Sequence, residues 1–223
     1  LPSADRNMSG LPFSLEGMNV FITGASSGVG RATAVMASQL GAFVTITGRN
    51  EERLEQTLSA LEGQGHRMIV EDLSSQGAYE RLTEQLPELD GMVYSAGIAE
   101  IMPFRMINDG HIKRVMQLNF EAPIQITQNM MRRKKLRAGG SLVYVTAIAD
   151  HAAQVGSAVY SASKAALATA VKSLALELAK TKVRANCLAP GYVRTPMYDK
   201  LGASSAIDEY LKLVPLGLIE PEE

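Results

Sequence analysis

A tyrosine and a lysine stand four positions apart in the second half of the chain, at Tyr160 and Lys164. Positions i and i+4 share one face of a helix, so a phenol and an ammonium group can reach the same small volume. The ammonium favours the phenolate form, and such a phenol can exchange a proton with a carbonyl or alcohol oxygen. The pair alone also occurs on ordinary helices, so its meaning depends on what precedes it.

A glycine-rich turn lies far upstream, in the stretch TGASSGVGRATAVMA from residue 23 to residue 37. Gly24 can make the sharp turn out of a strand, Gly28 lets backbone approach a pyrophosphate, and Gly30 lets the next helix pack closely. The start of that helix would point N–H groups and the positive end of its dipole at phosphate. Many strand–helix turns carry glycines for geometry alone, but this turn opens the first β-α unit. It therefore predicts a dinucleotide site lined by Gly24, Ser26, Ser27, Gly28, Val29 and Gly30.

The end of the second predicted strand bears on the choice of dinucleotide. An acidic residue commonly holds the adenosine 2′-hydroxyl at this place, but here Gly48 occupies it and Arg49 follows. Arg49 can pair with a 2′-phosphate, which favours NADP(H) over NAD(H). The alternative is a surface arginine that opens a helix. No basic residue stands directly before Gly28 to supply a second phosphate contact.

Asn119 precedes Pro123 by four positions in the stretch QLNFEAPIQITQ. A helical carbonyl at residue 119 would accept the N–H of residue 123, but proline has none, so the carbonyl is freed and the helix bends. A freed carbonyl can hold a water molecule beside a catalytic group. The alternative is a kink that serves packing only.

The elements around these residues alternate between short apolar runs and longer helical patterns, which predicts parallel β-α units. Predicted strands are MNVFIT (18–23), AFVTIT (42–47), HRMIV (66–70), GMVYSA (91–96), SLVYVT (141–146) and VRANCL (183–188). Helical patterns include GRATAVMASQLG (30–41), EERLEQTLSALEGQG (51–65) and SASKAALATAVKSLALELAK (161–180). Near-continuous apolar strands are typical of a sheet covered on both faces. The predicted fold class is α/β, a doubly wound parallel sheet (Rossmann fold) with helices on both faces.

Composition limits the remaining possibilities. The 223 residues fit one domain, predicted at 15–223 after a polar tail at 1–14. A net charge of −1 gives no field for nucleic acid or an anionic membrane, and no apolar stretch is long enough to span a bilayer. One cysteine excludes an internal disulfide framework and suits a reducing compartment, so a cytoplasmic protein is expected. Cys187 lies in an apolar run and is predicted to be a buried thiol; no metal site is predicted.

The ordered set of motifs resembles the short-chain dehydrogenase/reductase family, in its single-domain type with TGxxxGxG and YxxxK motifs. The set comprises Thr23-Gly-x-x-x-Gly28-x-Gly30, Asp72-Leu73, SAG at 95–97, Asn119, Tyr160-x-x-x-Lys164 and PGYVRT at 190–195. The resemblance implies hydride transfer between a nicotinamide and a small-molecule carbonyl or secondary alcohol. It implies catalytic roles for Asn119, Tyr160 and Lys164, with Lys164 also binding the nicotinamide ribose. Implied cofactor contacts are Asp72 and Leu73 near the adenine, Ala96 and Gly97 beside the adenosine, and Pro190, Gly191, Val193 and Thr195 at the nicotinamide.

One residue of the family's catalytic set is missing. The family places a serine 13 positions before the tyrosine to orient the substrate oxygen, and that position is Ala147 here. Thr146 stands beside it, but one step along an extended strand reverses the side-chain direction. Three interpretations stay open: Thr146 or another donor serves, a serine was replaced experimentally, or the chain is a dinucleotide-binding regulatory or scaffold protein without turnover.

Other departures are smaller. Tyr94 and Ser95 replace the family's asparagine pair before AG, so a contact that holds the central strand to a helix is in doubt. The chain stops at PLGLIEPEE, where the family continues with a helix and a seventh strand. Either the sequence is incomplete, which is the expectation, or that edge of the sheet is absent or disordered and the sixth strand is an exposed edge. A mobile substrate loop is predicted around residues 195–217. The apolar helix after Tyr160 predicts a homodimer or homotetramer.

Overall fold

The computed structural model describes residues 13–152, 154–200, 214 and 217–221. These residues form a six-stranded parallel sheet in the order β3-β2-β1-β4-β5-β6. The strands are β1 (Asn19–Thr23), β2 (Phe43–Gly48), β3 (Arg67–Val70), β4 (Leu89–Tyr94), β5 (Leu136–Val145) and β6 (Arg184–Leu188). The helices are α1 (Gly28–Gln39), α2 (Glu51–Leu58), α3 (Ala78–Gln85), α4 (Asp109–Met116), α5 (Ala122–Arg132), α6 (Ala158–Leu178) and α7 (Pro196–Lys200).

Two apolar cores lie on opposite faces of the sheet. Successive side chains of a strand point to opposite faces, so β1 sends Phe21 into one core and Ile22 into the other. The core around Ile22 receives Leu54 from α2 and small residues from α1, while the core around Phe21 receives side chains from α3, α5 and α6, such as Leu167. The predicted doubly wound sheet with helices on both faces is confirmed.

The strand order reverses between β1 and β4, which lie side by side although β2 and β3 come between them in sequence. Thr23, the last residue of β1, pairs with Thr47 on one side and Tyr94 on the other. A crevice opens beyond the carboxyl ends of the strands at such a reversal, and ligands of open α/β sheets bind there.

Four sequence predictions are corrected. β4 covers Leu89–Tyr94, so the SAG motif lies in the loop after it, and α2 ends at Leu58 rather than near residue 65. β5 begins at Leu136, because an early pairing with Leu89 precedes an irregularity in the register. Cys187 is exposed and the prediction of a buried thiol is wrong, because β6 is the edge strand of the described sheet and only Ala185 of its residues is buried.

Several predictions fall outside the described residues. Residues 1–12 of the expected tail and residues 201–213 of the expected substrate loop are among them. Within the described residues, no helix combines the length and apolar character needed to cross a membrane, and no group of three or more His, Cys, Asp or Glu could hold a metal ion.

Candidate active site

The glycine turn after β1 is built for close approach. Gly24 has φ +67°, and a Cβ there would lie 2.7 Å from the main-chain nitrogen of Ala96 in the loop after β4. A Cβ on Gly30 would lie 2.5 Å from the carbonyl oxygen of Gly24, so the first turn of α1 packs directly on the loop. Ser27, the residue before α1, makes no side-chain cap bond to the N–H groups of the helix start. The predicted turn residues Ser26, Gly28 and Val29 belong to the same segment, at the carboxyl edge of the sheet.

Arg49 and Asp72 lie near each other at the far end of this edge. Arg49 is exposed and directly follows β2, and Asp72 lies two residues beyond β3. The Asp72 carboxylate accepts hydrogen bonds from the Ser74 hydroxyl at 2.7 Å and the Ser74 N–H at 2.9 Å. These bonds, with a smaller contribution from the charge of Arg49, lower the pKa of Asp72. Leu73 turns its side chain into the core, so only its main chain remains for a ligand.

The loop after β4 is held against β1. The Thr23 hydroxyl oxygen accepts the N–H groups of both Ser95 and Ala96 at 3.1 Å. A Cβ on Gly97 would lie 3.1 Å from Asn119 Oδ1 and 3.5 Å from Lys164 Nζ. Gly97 therefore lies where two predicted catalytic residues come together.

Asn119 lies in a π-helical turn, Gln117–Glu121, that separates α4 from α5. The predicted interruption of the helix before Pro123 is confirmed. The Asn119 side chain exchanges two hydrogen bonds with the main chain of Ile98, both 2.9 Å, and donates a third to Ser163 Oγ at 3.0 Å. With the side chain committed in this way, any relay function of Asn119 falls to its main-chain carbonyl.

Two contacts around Asn119 were not found from the sequence. Ser163 donates to the Tyr160 carbonyl at 2.6 Å, so it joins Asn119 to the start of α6; its spacing of three from Tyr160 is the signal that could have revealed it. The Tyr94 hydroxyl donates to the Leu118 carbonyl at 2.9 Å. Tyr94 thus links β4 to the π-helical turn, where the loss of the asparagine pair had left a contact in doubt.

Lys164 is a buried lysine near the start of α6. Its side chain crosses to β5, where Nζ donates to the Val145 carbonyl at 2.8 Å, and Nζ lies 5.9 Å from the centre of the Tyr160 ring. Burial lowers the pKa of Lys164 to about 8. The two residues lie on one face of the first turns of α6, as their spacing predicts.

Ala147 has no hydrogen-bond donor in its side chain, and the hydroxyl of the neighbouring Thr146 points towards β6. Ala147 follows β5 with its side chain buried. The Thr146 hydroxyl donates to the Leu188 carbonyl at 3.2 Å, and the Thr146 N–H donates to the same oxygen at 2.8 Å. Thr146 is therefore turned towards β6 and is not available as the substitute donor that the sequence left open.

The loop after β6 closes the site from the other side. The Pro190 carbonyl accepts the Ile148 N–H at 3.0 Å, next to Ala147. Further along, the Thr195 side chain lies 2.9 Å from where a Cβ on Gly28 would stand, so this loop reaches the glycine turn. Gly191 and Val193 lie between these two points, and Val193 forms an isolated bridge with Ile219.

Side-chain and main-chain bonds also join the three loops that surround Tyr160. The Met102 N–H, after β4, donates to the Gly156 carbonyl at 2.9 Å, and the Gln154 amide, after β5, donates to the Tyr192 hydroxyl. Gln154 and Tyr192 were not predicted as site residues. No local spacing connects them, because they belong to separate loops that only the folded sheet brings together.

The chain matches one family model and is similar to several known proteins. The family model described as short chain dehydrogenase matches residues 18–206. The chain is 32% identical to 3-oxoacyl-(acyl-carrier-protein) reductase of Rickettsia prowazekii over 204 residues, which cover 91% of this chain and 83% of the relative. A dehydrogenase/reductase from Sinorhizobium meliloti superposes with a TM-score of 0.83 at 32% identity, over 94% of this chain and 85% of that one. An actinorhodin polyketide ketoreductase variant with NADPH superposes with a TM-score of 0.81 at 26% identity, over 92% and 86% of the two chains.

Proposed function

Because the chain belongs to the short-chain dehydrogenase family, we propose that it is an NADP(H)-dependent oxidoreductase acting on a carbonyl or secondary alcohol, with Tyr160 as general acid/base. The observation that carries the proposal is the buried Lys164 ammonium, 5.9 Å from the Tyr160 ring and beside Gly97 and Asn119. A lysine is rarely buried without a functional or structural partner, and here the surroundings are the carboxyl edge of the sheet.

In the proposed reaction, Tyr160, Lys164 and Asn119 handle the proton. When bound, the nicotinamide supplies or accepts the hydride. Tyr160 gives a proton to the substrate oxygen during reduction and takes one during oxidation. The Lys164 ammonium stabilises negative charge on the phenolic oxygen and is itself held by the Val145 carbonyl. The Asn119 carbonyl holds a water molecule that passes protons towards Lys164.

The described residues fit a dinucleotide along the whole edge. Gly24 and Gly30 have no side chain, which lets the loop after β4 and the first turn of α1 pack against the glycine turn. The uncapped start of α1 offers N–H groups to a pyrophosphate. Arg49 would pair with the 2′-phosphate of NADP(H), and its exposure beside Asp72 leaves the guanidinium accessible. The loop from Pro190 to Thr195, with Gly191 and Val193, would contact the nicotinamide end.

Ala147 favours a second candidate, a dinucleotide-binding protein without turnover. Loss of one donor of this kind costs on the order of 10²–10³ in rate. The rest of the site is present, which is the reason to prefer the oxidoreductase.

The test is NADPH oxidation with a panel of ketones and diketones, measured on the wild-type chain and on Tyr160→Phe, with NADPH binding followed by fluorescence. The oxidoreductase proposal predicts turnover of at least one ketone by the wild type and loss of it in Tyr160→Phe, with binding retained. NADPH binding with no turnover by the wild type, together with none by an Ala147→Ser variant, would favour the binding protein.

Assembly and location are also proposed rather than observed. Leu176 on α6 is 80% exposed and Ile112 on α4 is 42% exposed, so these helices offer apolar surface for a homodimer or homotetramer. Light scattering after size-exclusion chromatography would give the number of subunits. A cytoplasmic location remains a prediction from the composition.

A further inference from the structure

The main chain around the vacant position is fixed on both sides. The N–H groups of Thr146 and Ile148 donate to the carbonyls of Leu188 and Pro190, at 2.8 Å and 3.0 Å. Ala147 therefore lies between two bonds that tie its strand end to β6. A shift that turned the Thr146 hydroxyl towards the site would break these bonds, so a substitute donor has to come from another segment.

Gln154, in the loop after β5, has a side chain that could supply this donor. Its carbonyl accepts the Ser157 N–H at 3.2 Å and the Ser157 hydroxyl at 2.9 Å, which fixes its main chain just before the start of α6. Its amide nitrogen donates to the Tyr192 hydroxyl, in the loop that passes next to Ala147. Gln154 is thus bonded both to the residue that precedes α6 and to the loop whose Pro190 carbonyl contacts Ile148 beside Ala147, and it is only partly buried.

The Gln154 amide has donor capacity to spare. A primary amide carries two N–H groups, and the bond to Tyr192 uses one of them. Across the part of the chain that the structure describes, no protein atom accepts the second. The bond to Tyr192 also orients the amide, so its second N–H has a fixed direction at little further entropic cost.

We propose that Gln154 is the hydrogen-bond donor that holds the substrate oxygen in place of the hydroxyl missing at position 147. The proposal rests on the oxidoreductase function argued above. Tyr160 would transfer the proton, and the Gln154 N–H would donate to the same oxygen and stabilise the charge that develops on it during reduction. The substrate class is therefore a ketone or aldehyde whose oxygen reaches both groups, and Gln154 would contribute to which carbonyls are accepted.

The experiment compares kcat and KM for a reacting ketone in four chains: wild type, Gln154→Met, Ala147→Ser and the double variant. Methionine keeps the length of glutamine and removes its donors. Gln154→Met is expected to lower kcat on the order of 10²–10³, with NADPH affinity unchanged. Serine at position 147 should restore most of that rate in the double variant, because it returns a donor without returning the bond to Tyr192. Thr146→Val is the matched control for a lost hydroxyl, and it should leave kcat within a few-fold of wild type.

The outcomes separate this proposal from the function on which it rests. Unchanged kcat in Gln154→Met would overturn it, as would a loss that serine at position 147 does not rescue, since Gln154 would then only hold the loop. A large loss in Thr146→Val would assign the donor to Thr146 instead. Absence of turnover in all four chains would contradict the oxidoreductase function itself, and this proposal with it.

Discussion

Replacing Lys164 by methionine is expected to stabilise the fold at neutral pH while removing turnover. Burial lowers the pKa of Lys164 from 10.5 to about 8, so the native state holds the ammonium less favourably than the unfolded chain does. The difference corresponds to a cost of about 3 kcal/mol at pH 7. Methionine removes this cost but also removes the bond from Nζ to the Val145 carbonyl, a loss of about 1–2 kcal/mol. The variant should therefore be more stable at pH 7 by about 1–2 kcal/mol.

The pH dependence follows from the same pKa values. Below pH 8, Lys164 is protonated in both the native and the unfolded wild type, so the native state bears the whole cost of burying the ammonium. Between pH 8 and pH 10.5 the native state releases the proton before the unfolded state does, so the wild type gains stability as the pH rises. The advantage of the variant should fall by about 2 kcal/mol between pH 7 and pH 10.

Urea unfolding followed by circular dichroism at pH 7, 8, 9 and 10 measures this difference. Lys172→Met is the control, because Lys172 is an exposed lysine of the same helix. A Lys164→Met variant that is less stable than wild type at pH 7, or whose difference from wild type does not change with pH, would refute the reasoning.

Further predictions concern the cofactor turn and the central strand. Arg49→Ala should weaken NADPH binding about 10–100-fold without weakening NADH binding, because the charge-assisted bond from Arg49 to the 2′-phosphate is lost. Arg53→Ala, at another exposed arginine, is the control, and equal effects of Arg49→Ala on both cofactors would contradict the assignment. Gly30→Ala would place a Cβ 2.5 Å from the Gly24 carbonyl and should destabilise the fold by about 1–3 kcal/mol with loss of NADPH affinity, measured by thermal unfolding with and without cofactor. Tyr94→Phe leaves the Leu118 carbonyl without its donor and should cost about 1–2 kcal/mol in urea unfolding; no change would show that this bond is not what holds β4 to the π-helical turn.

Most features that the sequence predicted correctly depend on residues close together along the chain. The glycine turn, the four-residue step from Tyr160 to Lys164 and the proline that interrupts the helix at Asn119 all act within one or two turns of chain. Physical rules about one element are enough for such features. The alternation of apolar runs and helical patterns likewise gave the doubly wound sheet.

Contacts between distant segments could not be predicted in the same way. The bond from Tyr94 to Leu118 and the bond from Gln154 to Tyr192 depend on which loops the sheet order brings together. Cys187 was misjudged for a related reason: an apolar run predicts burial, but the burial of a strand depends on its place in the sheet, and β6 lies at the edge.

The central claim is that this chain transfers a hydride and that Tyr160 moves the accompanying proton. The most direct test is to supply NADPH deuterated at both C4 positions together with a panel of ketones, and to analyse the products by mass spectrometry. Deuterium is expected at the former carbonyl carbon with the wild type, and none with Tyr160→Phe. Unlabelled products, or equal labelling by both chains, would contradict it.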